Sequence, residues 1–128
     1  MRVFTTKAFA RFMRHERISD ASLCDAIRRA EDGLLNAQLG GGVIKQRVAR
    51  PGQGRSGGYR VLIAYRHRAL SVFLHGFAKS ERDNVSDNEL ATLRDIAKAW
   101  LQADAKALAR ALAEGVIMEV VYDDEEKA

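Results

Sequence analysis

Residues 40–82 read GGGVIKQRVARPGQGRSGGYRVLIAYRHRALSVFLHGFAKSER. Within them three apolar or alternating runs, residues 43–49, 59–66 and 70–78, are separated by Gly-rich or basic turns. Consecutive antiparallel strands read this way. The same stretch holds nine basic residues against one acid, Glu81, so the predicted meander is a cationic sheet and the expected working part of the chain.

The charge is unevenly spread around it. Residues 1–42 carry +2, residues 43–82 carry +8, residues 83–102 carry −2 and residues 103–128 carry −4, which together give the formal +4. A strongly basic middle beside an acidic end points to a polyanionic partner, nucleic acid first, more than the overall charge does.

With 128 residues and 47% hydrophobic content, the chain is expected to form a single domain over residues 1–122. That is long enough to bury a core without disulfides or metals. The lone cysteine, Cys24, has no internal disulfide partner; it falls near core positions of a predicted helix and is read as buried. No stretch suits a membrane span, no signal peptide is visible, and a reducing, cytoplasmic setting is expected. With one cysteine and isolated histidines at His15 and His67, no metal-ligand spacing is present.

Upstream, residues 3–5 read as a short edge strand, and Thr5 or Thr6 can cap a helix to about His15. Phe9, Phe12 and Met13 form its apolar side, while Lys7, Arg11 and Arg14 read as a solvated face. A second helix opens at Ser19 or Asp20, aligns Leu23, Ile27, Ala30 and Leu34, and breaks near Gly33. Gly40, Gly41 and Gly42 read as a flexible lead-in to the sheet. Downstream, Ser86 and Glu89 have capping-box spacing before an apolar stripe of Leu90, Leu93, Ile96, Ala97, Trp100 and Leu101. A short helix over 104–114, a strand over 116–122 and an acidic, solvated tail over 123–128 complete the reading. The fold class is α/β in the α+β sense: an antiparallel sheet of about four strands packed by N-terminal and C-terminal helices.

Side-chain alternation places Lys45 and Arg47 together on one face of the first meander strand, with Ile44, Gln46 and Val48 on the other. The loop from Arg50 to Gly58 has four glycines among nine residues. Its backbone can approach a phosphate closely, with Arg50 and Arg55 flanking it. Arg60 opens the next strand, where a guanidinium can clamp a phosphate bidentately. The third strand is expected to carry Ser71, Phe73, His75 and Phe77 on one side and Val72 and Leu74 on the other. A histidine between two phenylalanines is more often a packed residue than an acid or base.

The order of helices followed by a basic meander resembles the RelE-like toxins of bacterial toxin-antitoxin pairs. The words Ile44-Lys45-Gln46-Arg47, Gly54-Arg55-Ser56-Gly57-Gly58-Tyr59-Arg60 and Gly76-Phe77-Ala78-Lys79-Ser80 look like one branch of that family, as does the ending Gly115-Val116-Ile117-Met118-Glu119-Val120. The likeness covers roughly residues 1–120. It implies a small RelE-like domain and a ribosome-dependent endoribonuclease that cuts messenger RNA in the A site. In such enzymes the ribose 2′-hydroxyl attacks the adjacent phosphodiester, leaving a cyclic phosphate and a free 5′-hydroxyl without metal or other cofactor.

By the same resemblance, Arg60 matches the strand-borne arginine that stabilises the phosphorane. Lys45 and Arg47 match the basic strand before it, with Lys45 as the better candidate for the base. Lys79 matches a Phe-x-Lys word and would polarise the leaving oxygen or hold the RNA. Arg47, Arg50, Arg55, Tyr59, Ser80 and Arg82 are the expected RNA or phosphate contacts. Many relatives carry a late tyrosine or histidine as acid or base; here Tyr122 is the only such late aromatic, and His75 is the alternative. A toxin also implies a cognate antitoxin, typically a small protein that wraps the toxin and covers the basic groove. Two other readings stay open: a non-catalytic nucleic-acid-binding or regulatory protein, and a ParE-like toxin that inhibits a protein such as gyrase. RNA binding without cleavage would mark the first, and growth arrest without RNA cuts the second.

Overall fold

The computed structural model describes residues 1–50, 52, 57–82 and 84–122. Along them run β1 (Arg2–Thr6), α1 (Lys7–Glu16), α2 (Asp20–Glu31), β2 (Ala37–Gly40), β3 (Val43–Val48), β4 (Tyr59–Arg66), β5 (Leu70–Ala78), α3 (Asp87–Gln102), α4 (Ala105–Ala113) and β6 (Ile117–Val120). The strands form one mixed sheet in the order β2-β3-β4-β5-β1-β6, antiparallel except for the β1–β5 pair. The fold is α+β, as the sequence predicts.

Each helix begins where a short polar side chain satisfies its first free N–H groups. Thr6 accepts from Phe9 N, Ser19 from Ser22 N, Ser86 from Glu89 N and Asp104 from Ala107 N. Several end in left-handed caps. Gly33 (φ 83°) and Gly115 (φ 73°) close α2 and α4 with paired backward bonds, and Arg17 (φ 58°) does the same for α1 without a glycine's freedom.

The sheet has six strands instead of about four. The strand that the sequence reading did not mark is β2, whose four residues Ala37–Gly40 are too few for their alternation to stand out, so its pairing with β3 identifies it. The predicted edge strand at the N-terminus is interior, because β1 lies between β5 and β6. Gly40, Gly41 and Gly42 are not a flexible lead-in but the tight β2–β3 turn, all three at positive φ. Leu34 is 63% exposed, because the chain has already turned out of α2 at Gly33.

The sheet buries a core on each face. Val3, Ile44, Val48, Tyr59, Val61, Ile63 and Phe73 pack under α1 and α2 with Phe9, Leu23 and Ile27. On the other face Phe4, Val43, Leu62, Ala64, Val72, Leu74 and Phe77 meet Ala97 of α3 and Leu108 and Ala111 of α4. Each large side chain fully buried this way contributes about 1.5–3 kcal/mol, which is what fixes the register of β4 and β5. That register carries a β-bulge: Leu62 pairs with His75 but Ile63 with Phe73, leaving Leu74 as an extra residue. The predicted grouping of Ser71, Phe73, His75 and Phe77 on one side therefore fails. Phe73 faces α1, whereas His75 and Phe77 turn toward α3.

Candidate functional site

The meander's basic residues are sorted by the pleat. Arg47 of β3 and Arg60 of β4 are direct cross-strand partners, and Phe77 of β5 is the next residue in the same row. One row along, Lys45, Leu62 and His75 align across the same three strands. Directly paired residues point to the same side, so Lys45, Arg47, Arg60 and His75 share the α3 face. Arg60 is 6% exposed, Arg47 is exposed and Lys45 half-buried. Like charges directly opposite one another oppose folding.

His75 reaches this face because of the bulge. Bulges re-aim side chains in this manner. Its Nε2 is buried and makes no hydrogen bond among the described residues. Burial pushes its ring below the ordinary value of 6.5, with Glu89 opposing the shift and Arg82 adding to it, so the surroundings favour the neutral ring. Its ring lies 6.1 Å from that of Phe77. His75, Glu89, Thr92 and Leu93 line an open cleft of about 210 Å³.

Arg82 arrives at the rim of the same cleft from the turn after β5. Its guanidinium lies 5.5 Å over the Phe77 ring and donates to Glu89, with Nη1 3.3 Å from Oε2 and Nη2 on Oε1. Glu89 also closes the capping box of α3, accepting from Ser86 N at 2.8 Å. The Arg82 guanidinium first, and the Ser86 N–H second, hold the Glu89 carboxyl down to about 2. Lys79 and Ser80 are exposed at the end of β5, and Lys79 N bonds Gly58 O at 3.0 Å. This bond ties their turn to the start of β4.

Two of the expected contacts lie elsewhere. Tyr59 is 1% exposed in the opposite core, where its hydroxyl donates to Glu16 Oε1 at 2.9 Å. Burial and that bond raise its phenol above the ordinary range. Arg50 sits 5.5 Å over the Tyr59 ring and 4.0 Å from Glu16, so it too belongs to the α1–α2 side. It borders a cleft of about 410 Å³ with Arg17, Ser19 and Ser22. Arg55, with residues 51, 53, 54 and 56 of the glycine loop, lies outside the described residues, as does the predicted tail at 123–128. Tyr122 stays near the first core, with Arg28 5.8 Å over its ring.

Sequence reading missed what Gln46 does. Its side chain is fully buried; Nε2 donates to Ala26 O at 2.9 Å and Leu34 O at 3.2 Å, and Oε1 accepts from Asn36 N at 2.9 Å. The centre of the Lys-Gln-Arg word is thus a peg between α2 and β3, while its two cations turn to the other face. Gly58 is a packing requirement, since a Cβ there would lie 2.1 Å from Val48 O.

No helix among the described residues is long and apolar enough to cross a membrane. No curated protein matches the chain. The family model described as the RelE toxin of the RelE/RelB toxin-antitoxin system matches residues 1–120. The chain therefore belongs to the RelE toxin family, the toxin side of toxin-antitoxin pairs.

Proposed function

We propose that the protein is a ribosome-dependent endoribonuclease that cuts messenger RNA and stops translation. The observation that carries this reading is the row of Arg47 and Arg60 facing each other across β3 and β4, with Lys45 and the re-aimed His75 in the next row on the same face. In the reaction the 2′-oxygen loses its proton and attacks the adjacent phosphorus. The bond from phosphorus to the 5′-oxygen breaks, the leaving oxygen gains a proton, and a cyclic phosphate remains. Arg60 and Arg47 neutralise the charge that develops on the phosphorane oxygens. His75, which lines the cleft, is the candidate to take the 2′-proton; Lys45 is the other basic group in its row. Lys79 and Ser80, exposed on the adjoining turn, hold the RNA or protonate the leaving oxygen.

Expression of the chain alone, wild type beside Arg60→Ala, with messenger 5′-ends mapped, tests this. New cuts on translated messages that vanish in the variant are the expected result. Growth arrest without cuts would replace the reading with inhibition of a protein target, and RNA binding without arrest would leave a regulatory protein.

A further inference from the structure

We infer that the outward face of α1 is a second polyanion-binding surface, which takes the phosphate backbone of double-helical RNA on Lys7, Arg11, Arg14 and Arg17. This shares with the proposed function only the premise that the protein works on RNA. Lys7, Arg11 and Arg14 stand at i, i+4 and i+7, so they share one face of the helix. That face is opposite the side on which Phe9, Phe12 and Met13 meet the core. They span about 10 Å along the axis, and Arg17 at the C-cap extends the row.

Helix α1 departs from the electrostatic pattern that α2 and α3 keep at their starts. It has no acid in its first turn and places Lys7 there instead, where the helix dipole disfavours a cation. Its like charges recur at i+3 and i+4, a spacing that costs about 0.2–0.5 kcal/mol per pair in isolated helices. By contrast, α2 opens with Asp20 and pairs Arg29 with Asp25 at 3.0 Å, and α3 opens with Asp87 and Glu89. The one acid of α1, Glu16, is turned inward and engaged by His15 and Tyr59. Among the described residues, none of Lys7, Arg11, Arg14 and Arg17 makes an ion pair, and all four are exposed. Glu119, which borders the same cleft as Arg14 and Arg17, is already held by Arg2 at 2.9 Å; Asp20 is the other acid there.

The form of the RNA follows from what the face lacks. Single strands are held by stacking bases on aromatic rings as well as by cations. The rings of α1 are Phe9, 1% exposed, Phe12, packed edge-on against Tyr59, and one exposed imidazole, His15, whose Nδ1 lies 2.8 Å from Glu16 Oε2, so the outward face offers a row of cations with a single tethered imidazole in place of a run of stacking rings. Such a surface reads the backbone of a helix.

The test uses the full chain with Lys7, Arg11 and Arg14 all changed to Gln, and a control with Lys98, Lys106 and Arg110 all changed to Gln for the same net charge. The probes are a short RNA duplex and a single-stranded oligonucleotide. The α1 variant is expected to bind the duplex roughly ten- to hundredfold more weakly near physiological salt, with a salt slope shallower by about 2–3. Its affinity for the single strand should hold, as should the control's affinity for the duplex. A melting temperature equal to or above wild type confirms folding, since repulsion has been removed. Unchanged duplex binding overturns the inference, and weakened antitoxin binding in its place would assign the face to an acidic protein. Equal losses in variant and control would overturn it as an effect of net charge. Duplex binding needs no cleavage, so the inference stands or falls separately from the Arg60 experiment.

Discussion

Arg47 and Arg60 are cross-strand partners on one face of the sheet, two guanidinium groups directly opposite one another on β3 and β4. Like charges placed directly opposite one another are destabilising in a sheet. Arg47→Thr, which keeps strand propensity, is therefore expected to unfold at equal or slightly higher urea while RNA cleavage falls. If cleavage persists at the wild-type rate, the pair is not the phosphate clamp. Arg60→Lys keeps the charge but loses the bidentate fork, so its expected loss of cleavage approaches that of Arg60→Ala, about 10²-fold or more by analogy with other transition-state donors.

His75 gives a pH dependence with a defined sign. Its folded value lies below 6.5 because of burial, so the unfolded chain binds the proton more readily than the folded one. Stability from this group is full above pH 6.5 and declines as the pH falls below it. A catalytic base at this position requires the neutral ring, so cleavage should be flat from neutral pH upward and fall only on the acid side. His75→Gln should abolish that acid limb. A limb that survives the substitution would move the base to another residue.

Gln46 separates the structural from the chemical half of the Lys-Gln-Arg word. Gln46→Leu keeps the volume but leaves the Asn36 N–H and the Leu34 carbonyl without this partner and removes the second donor to the Ala26 carbonyl. Leaving buried polar groups unpaired costs about 1–3 kcal/mol each, and partial relaxation should bring the total to about 2–4 kcal/mol. Chemical denaturation measures it. Preserved stability would mean that water or a shifted loop replaces the peg.

These residues also show what a sequence can and cannot disclose here. The meander, the caps and the side of Lys45 and Arg47 were legible because period-2 alternation and capping chemistry are local. The bulge at Leu74 was not, since nothing in Leu70–Ala78 marks one extra residue; only pairing with β4 shows it, and it decides where His75 points. Tyr59 was misleading for a related reason. It follows the glycines in the basic word, yet it is one residue out of phase with Arg60 and so faces the other core. Gln46 was placed on the face of Ile44 and Val48, but its role was not legible, because its three partners lie 10 to 20 residues away in sequence.

Under the proposed function, Glu89 would compete with RNA for Arg82. The carboxylate holds the guanidinium over Phe77 at the rim of the His75 cleft, the position in which a phosphate entering beside His75 would also need it. Both functions of Glu89 can be separated by Glu89→Gln. The amide still accepts from Ser86 N, and glutamine serves in a capping box, so α3 should persist with an unchanged helical signal. The charge-assisted bonds to Arg82 weaken, freeing the guanidinium for a phosphate. Affinity for a single-stranded oligonucleotide is expected to rise severalfold, and Arg82→Gln added to the same chain should cancel the gain. A lower affinity in Glu89→Gln with α3 intact would instead mean that Glu89 presents Arg82 to the RNA, so that the pair acts as a positioned donor and not as a competitor.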